Sequence, residues 1–169
     1  MVKSIRKLGI PAIAVLAASL TLPAQTPLFR DPNQPVEKNQ QVSYLFPEQI
    51  TLPAGKPQSV TLHFRVAPGL HINSHAPSDP SLIPTVLSVP GSSGVTLQSA
   101  RYPQGVPFIL PVDPSTKLSV YTGDFAIETR LVATPGDHLV QAHLRFQACD
   151  ENACMPPRTI TAPIDVIAK

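Results

Sequence analysis

Within His138 to Ala148 apolar and polar residues alternate from Val140 onward: Val140, Ala142, Leu144 and Phe146 fall on one side, Gln141, His143, Arg145 and Gln147 on the other. An extended strand, whose side chains point to opposite faces in turn, is the structure that gathers such a set onto one buried face. Ser59 to Val66 repeats the pattern, with Val60, Leu62, Phe64 and Val66 set against Ser59, Thr61, His63 and Arg65. Further strands are expected at Gln49-Leu52, Thr85-Val89, Val95-Ala100, Ser119-Tyr121, Asp124-Leu131 and Thr159-Val166. The turn pairs Ala54-Gly55, Pro68-Gly69, Pro90-Gly91 and Pro135-Gly136 punctuate these runs. With 21 prolines against 8 glycines, stiff turns are favoured over long helices. About eight short antiparallel strands and no helix predict an all-β sandwich.

The N-terminal residues predict export. Lys3, Arg6 and Lys7 precede an apolar run from Leu8 to Ala18, which reads as the charged and hydrophobic regions of a signal peptide. The run falls short of the roughly 20 residues that a membrane span needs. Leu22-Pro23-Ala24 offers a small residue for cleavage after Ala24, giving a signal peptide over residues 1–24; an uncleaved N-terminal anchor is the alternative. Neither leaves the domain in the cytoplasm, and with the cysteines confined to positions 149 and 154 a lipoprotein anchor is excluded. Removing the signal takes three cations with it and leaves 10 Lys and Arg against 11 Asp and Glu. No basic cluster remains to recruit nucleic acid or an anionic membrane, and no membrane span follows the signal. Residues 25–41, polar and interrupted by Pro27, Pro32 and Pro35, read as a flexible lead-in. Residues 42–169 are then a single domain, large enough for one core.

Cys149 and Cys154, with four residues between them, are the feature that carries chemistry. The strand ending at Ala148 delivers the first, and a strand beginning at Thr159 follows the second, so the pair brackets a hairpin loop. Strand ends there approach within reach of the Cα separation of about 5.5 Å that a disulfide favours. Such a bond could be a staple, as paired cysteines in an oxidising compartment often are. Closing so short a loop stabilises by only about 2 kcal/mol, against nearly 5 for a loop of about 100 residues. A short-loop, exposed disulfide is also the more easily reduced kind. Thiol-disulfide exchange, a structural bond and metal binding all remain open on these residues alone.

Several motifs occur in a telling order: Tyr102-Pro103-Gln104-Gly105-Val106, Val120-Tyr121-Thr122-Gly123, Phe146-Gln147-Ala148-Cys149, and Cys154-Met155-Pro156-Pro157. Together they resemble the DsbD N-terminal domain family. Pro68-Gly69-Leu70-His71-Ile72-Asn73-Ser74-His75, followed by Pro84-Thr85, is similar to stand-alone members, so the likeness runs from about Val42 to Ile167. It implies an immunoglobulin-like sandwich in the periplasm that exchanges thiols and disulfides without a bound cofactor or metal. Electrons would come from a membrane-embedded thiol-disulfide transporter and pass to soluble thioredoxin-like proteins, both on other chains. Cys149 and Cys154 would be the redox pair, Cys154 forming the mixed disulfide and Cys149 resolving it.

The cysteine spacing is one residue shorter than in the family's familiar pattern. The aromatic cap that covers the family's disulfide falls on Pro107-Phe108-Ile109-Leu110, where Phe108 is the available ring. The family's flanking tyrosines fall at His71 and Asn73, which makes His71, with Tyr121, a supporting candidate. Asp150 and Glu151 would disfavour a thiolate if they act on it, or simply solvate the hairpin tip.

Other constellations point less far. His71 and His75 would share a helix face, but Pro68-Gly69 and Pro77 argue against a helix and hence against zinc. Cys149, Cys154 and Met155 could bind a soft ion such as Cu(I), so a copper-trafficking domain is one alternative. A binding module whose disulfide is structural is another. Ser74, His75 and Asp79 lack the nucleophile elbow that a hydrolase triad would need.

Overall fold

A computed structural model of the chain describes residues 40–45, 49–111 and 113–169; the expected signal peptide and nearly all of the lead-in lie outside these residues. The described residues form twelve strands: β1 (Val42–Leu45), β2 (Gln49–Leu52), β3 (Gln58–Val66), β4 (His71–Asn73), β5 (Val86–Ser88), β6 (Val95–Arg101), β7 (Val106–Leu110), β8 (Asp113–Tyr121), β9 (Asp124–Ala133), β10 (Gly136–Phe146), β11 (Ala148–Cys149) and β12 (Arg158–Ala168). One 3-10 turn, Gly91–Ser93, is the sole helical element among them. They assemble into three four-stranded sheets with orders β1-β3-β9-β6, β2-β12-β10-β5 and β11-β4-β8-β7. No described helix is long and apolar enough to cross a membrane.

The period-two residues bury as their spacing demands. Leu62, Phe64 and Val66 of β3, Val140, Ala142, Leu144 and Phe146 of β10, and Ala162, Ile164 and Val166 of β12 all enter one core cluster. Burying each large apolar side chain contributes about 1.5–3 kcal/mol. Ile72 of β4 and Tyr121 of β8 join the same cluster, which couples the third sheet to the core of an all-β, immunoglobulin-like sandwich. The aromatic stack runs through it, with Phe64 on Phe125 at 5.4 Å and Phe125 on Tyr121 at 4.9 Å between ring centroids.

All eight expected strands are present, and the differences have local causes. β4 was not foreseen because His71, Ile72 and Asn73 are buried on both faces and so show no alternation. β7 was masked by Pro107, which an edge strand tolerates because its outer N–H is not needed by a neighbour. The expected strand from His138 to Ala148 is broken: β10 ends at Phe146 against β12, and after Gln147 the chain enters another sheet as β11, paired with β4. Of the pairings, β2 with β12 runs parallel, contrary to an all-antiparallel expectation. That pairing begins at Asp165, which lets Pro163, earlier on β12, go without an amide proton. At the β8–β9 hairpin, Gly123 takes φ 56°, the left-handed conformation that a two-residue turn requires.

Candidate functional site

The switch of sheets at Gln147 brings the two cysteines together. Cys149 ends β11 and faces Cys154 in an isolated antiparallel bridge, joined by a disulfide with the Cα atoms 3.9 Å apart. This is closer than the roughly 5.5 Å usual for a disulfide, and the flanking hydrogen bonds favour the close approach. Met155 N–H donates to the Ala148 carbonyl at 2.8 Å and Asp150 N–H to the Ala153 carbonyl at 3.0 Å. The cysteines therefore occupy the non-hydrogen-bonded position between them, where antiparallel chains come nearest. Asp150 closes the tip, its Oδ1 accepting from the backbone N–H of Asn152 at 2.7 Å and of Ala153 at 2.8 Å. On the far side Gln147 Nε2 donates to the Met155 carbonyl at 3.2 Å, and Gln41 Nε2 to the Met155 sulfur at 2.8 Å.

The two cysteines sit in different environments. Cys149 is 2% exposed, whereas Cys154 lies on the open side of the hairpin. Across β11 from Cys149, in direct register, stands His71, itself buried and with its Nε2 lacking any hydrogen-bond partner. The Phe108 ring lies against the His71 imidazole, centroids 4.1 Å apart. His71, Phe108 and Glu151 line a cavity of about 380 Å³ together with Arg65 and Asp124. Burial lowers the His71 pKa below its ordinary 6.5, opposed by the Asp150 carboxylate. The Asp150 pKa is itself lowered, first by the N–H groups of Asn152 and Ala153 and last by the charge of His71.

A second tier of contacts holds β4 and the loop that leads to Phe108 in place. Tyr121, opposite Ile72 in the β4–β8 register, donates its hydroxyl to the Pro103 carbonyl and accepts from the His75 N–H, both at 3.0 Å. Tyr102 accepts from the Leu87 N–H at 2.8 Å, and its ring stacks on His75 at 3.7 Å. Gly105 packs so tightly that a Cβ there would collide with Ser119 Oγ and come within 2.8 Å of Ser74 Cβ. The Tyr-Pro-Gln-Gly segment is thus a fixed elbow that launches β7 and Phe108.

Of the residues singled out in the sequence, the structure brings Cys149, Cys154, His71 and Phe108 into one neighbourhood. Tyr121 instead anchors the elbow. Asn73 is buried on β4, its Nδ2 donating to the Ile83 carbonyl at 3.1 Å while its Oδ1 is unpartnered. Asp150, expected to bear on the sulfurs or on solvent, has a further part as the acceptor that closes the loop. Its signal was legible as an Asx turn, an Asp accepting from the backbone two and three residues on. The contacts of Gln41 and Gln147 with Met155 depend on the sheet switch and had no local signal. No cluster of three or more His, Cys, Asp or Glu side chains able to hold a metal occurs among the described residues.

Comparison with curated proteins finds no match. Among solved structures, the chain is similar to the crystal structure of the Neisseria meningitidis DsbD N-terminal domain in the reduced form, with 18% identity over 66% of this chain and 79% of that one and a TM-score of 0.45. The family described as "Thiol:disulfide interchange protein DsbD, N-terminal" matches residues 41–165. That segment takes in both cysteines, β4, the elbow and most of the sandwich, and the chain belongs to this family of thiol-disulfide interchange domains.

Proposed function

We propose that this protein is an electron relay of the periplasm, in which Cys149 and Cys154 cycle between dithiol and disulfide. It would receive electrons from a membrane thiol-disulfide transporter and hand them to soluble thioredoxin-like proteins. The observation that carries the reading is the split exposure of one bonded pair, Cys149 buried and Cys154 open. Exchange needs one sulfur that an outside thiolate can attack and a second, protected, that resolves the mixed disulfide. Cys154 takes the first part and Cys149 the second. Phe108 and the cavity wall over His71 act as the cap that keeps small thiols from the buried side. Tyr121 supports that cap through the elbow. The relay domain begins near Val42 and follows an export signal removed after Ala24.

The reading is tested by capture. A Cys149→Ala chain, mixed with an oxidised thioredoxin-like protein and quenched with acid, accumulates a mixed disulfide through Cys154. A Cys154→Ala chain accumulates none. Equal capture by both variants, or by neither, contradicts the assignment.

A further inference from the structure

β4 is buried along its whole length, yet it carries a titratable ring. His71 is 2% exposed and its Nε2 has no hydrogen-bond partner, an arrangement that costs free energy as long as it lasts. Directly opposed residues of antiparallel strands project from the same face with Cβ atoms about 4.5–5.5 Å apart, and the residue opposed to His71 is Cys149. While the disulfide is closed, Cys149 has no proton to offer. Once it is reduced, the buried thiol is a donor in need of an acceptor, and neutral His71 in the tautomer that leaves Nε2 unprotonated offers one.

We propose that His71 is the proton acceptor for the Cys149 thiol in the resolving step of exchange. This rests on the relay reading above and adds an acid-base group to it. The Cys154 thiolate, its proton already lost to solvent, bonds to one sulfur of the partner's disulfide and releases the other as a thiolate, which solvent protonates. The Cys149 thiol then gives its proton to neutral His71, and the resulting thiolate bonds to Cys154 Sγ. The bond between Cys154 and the partner breaks, and the departing thiolate takes up the proton that His71 held. Two electrons have passed to the partner, the pair is oxidised and the imidazole is neutral again.

The surroundings suit the role. Phe108 of β7 covers the ring, and burial keeps the imidazole neutral and able to accept at neutral pH. Asp150 beside Cys149 acts in the opposite sense and favours the imidazolium. Glu151, Arg65 of β3 and Asp124 of β9 are the remaining charges along the shared cavity, and Arg65 and Asp124 are paired with each other.

The test follows the reduced full chain with excess dithionitrobenzoate in a stopped-flow instrument. The first thionitrobenzoate is released in a phase proportional to reagent; the second comes from attack by Cys149 and is independent of it. In the wild type the second phase holds its rate as pH falls and drops only below the lowered His71 pKa. In His71→Gln, which preserves polarity but does not titrate in this range, and in His71→Phe, the rate falls steadily below a thiol pKa of about 8.5. At pH 6 both variants are slower on the order of a hundredfold, the lower end of what a positioned base supplies. A glutamine variant with the wild-type pH profile overturns the role of His71 while leaving the relay intact. Failure of the wild type to release a second equivalent overturns the relay itself.

Discussion

Cys149 and Cys154 face each other with Cα atoms 3.9 Å apart, yet one is 2% exposed and the other open to solvent. The hairpin makes the difference: β11 lays Cys149 against His71 of β4, while Cys154 returns on the outer strand. In the reduced chain an alkylating reagent is expected to modify Cys154 first, faster on the order of tenfold or more, because reactivity follows access as well as thiolate fraction. Peptide mapping after a short pulse checks this, and equal labelling speaks against the asymmetry.

Phe108 packs on His71 while remaining partly exposed. Phe108→Ala is expected to cost about 1–2 kcal/mol, below the 3–5 typical of a fully buried Phe. It should also speed reduction of the disulfide by a small thiol several-fold. The paired measurement is a urea transition and the rate of reduction in excess dithiothreitol. Lost stability with an unchanged reduction rate would make Phe108 a packing residue and not a cap.

Gly105 has no room for a side chain between Ser119 and Ser74. Gly105→Ala is expected to destabilise by about 1–3 kcal/mol, the usual cost of forcing extra volume into a packed site. Urea denaturation measures it, and a neutral result contradicts the tight elbow.

Asp150 accepts two backbone hydrogen bonds at the hairpin tip, and its pKa is lowered by them. A carboxyl depressed in the folded state contributes stability that is fully present above its unfolded pKa of about 3.9 and is lost as pH falls through the lower folded value. Asp150→Ala is therefore expected to be less stable than the wild type at neutral pH, with the gap closing in strong acid. Denaturation midpoints across that range check the sign, and a gap that widens in acid contradicts it.

Much of the sandwich was legible because alternation is a local signal: Val140 to Phe146 and Leu62 to Val66 bury as their spacing requires. The site was legible only in part. Cys149, Cys154, Phe108 and His71 could be named from motifs, but not the fact that His71 opposes Cys149. That pairing joins residues 78 positions apart in the chain and depends on the break at Gln147, where a continuous alternating run changes sheets. Periodicity reports which face is buried; it does not report which sheet a strand joins. β4 and β7 stayed hidden for related reasons, the first being buried on both faces and the second an edge strand bearing a proline.

In the relay proposed above, the bond between Cys149 and Cys154 opens and closes in function. The most direct test is its reduction potential, read by equilibrating the chain in thiol-disulfide buffers of graded poise and counting free thiols with an alkylating mass tag. The expected value lies above about −300 mV, nearer the thioredoxin range of about −270 mV, with the domain folded in both states. A potential well below about −300 mV, or a bond whose reduction unfolds the sandwich, would contradict it and leave the disulfide a staple.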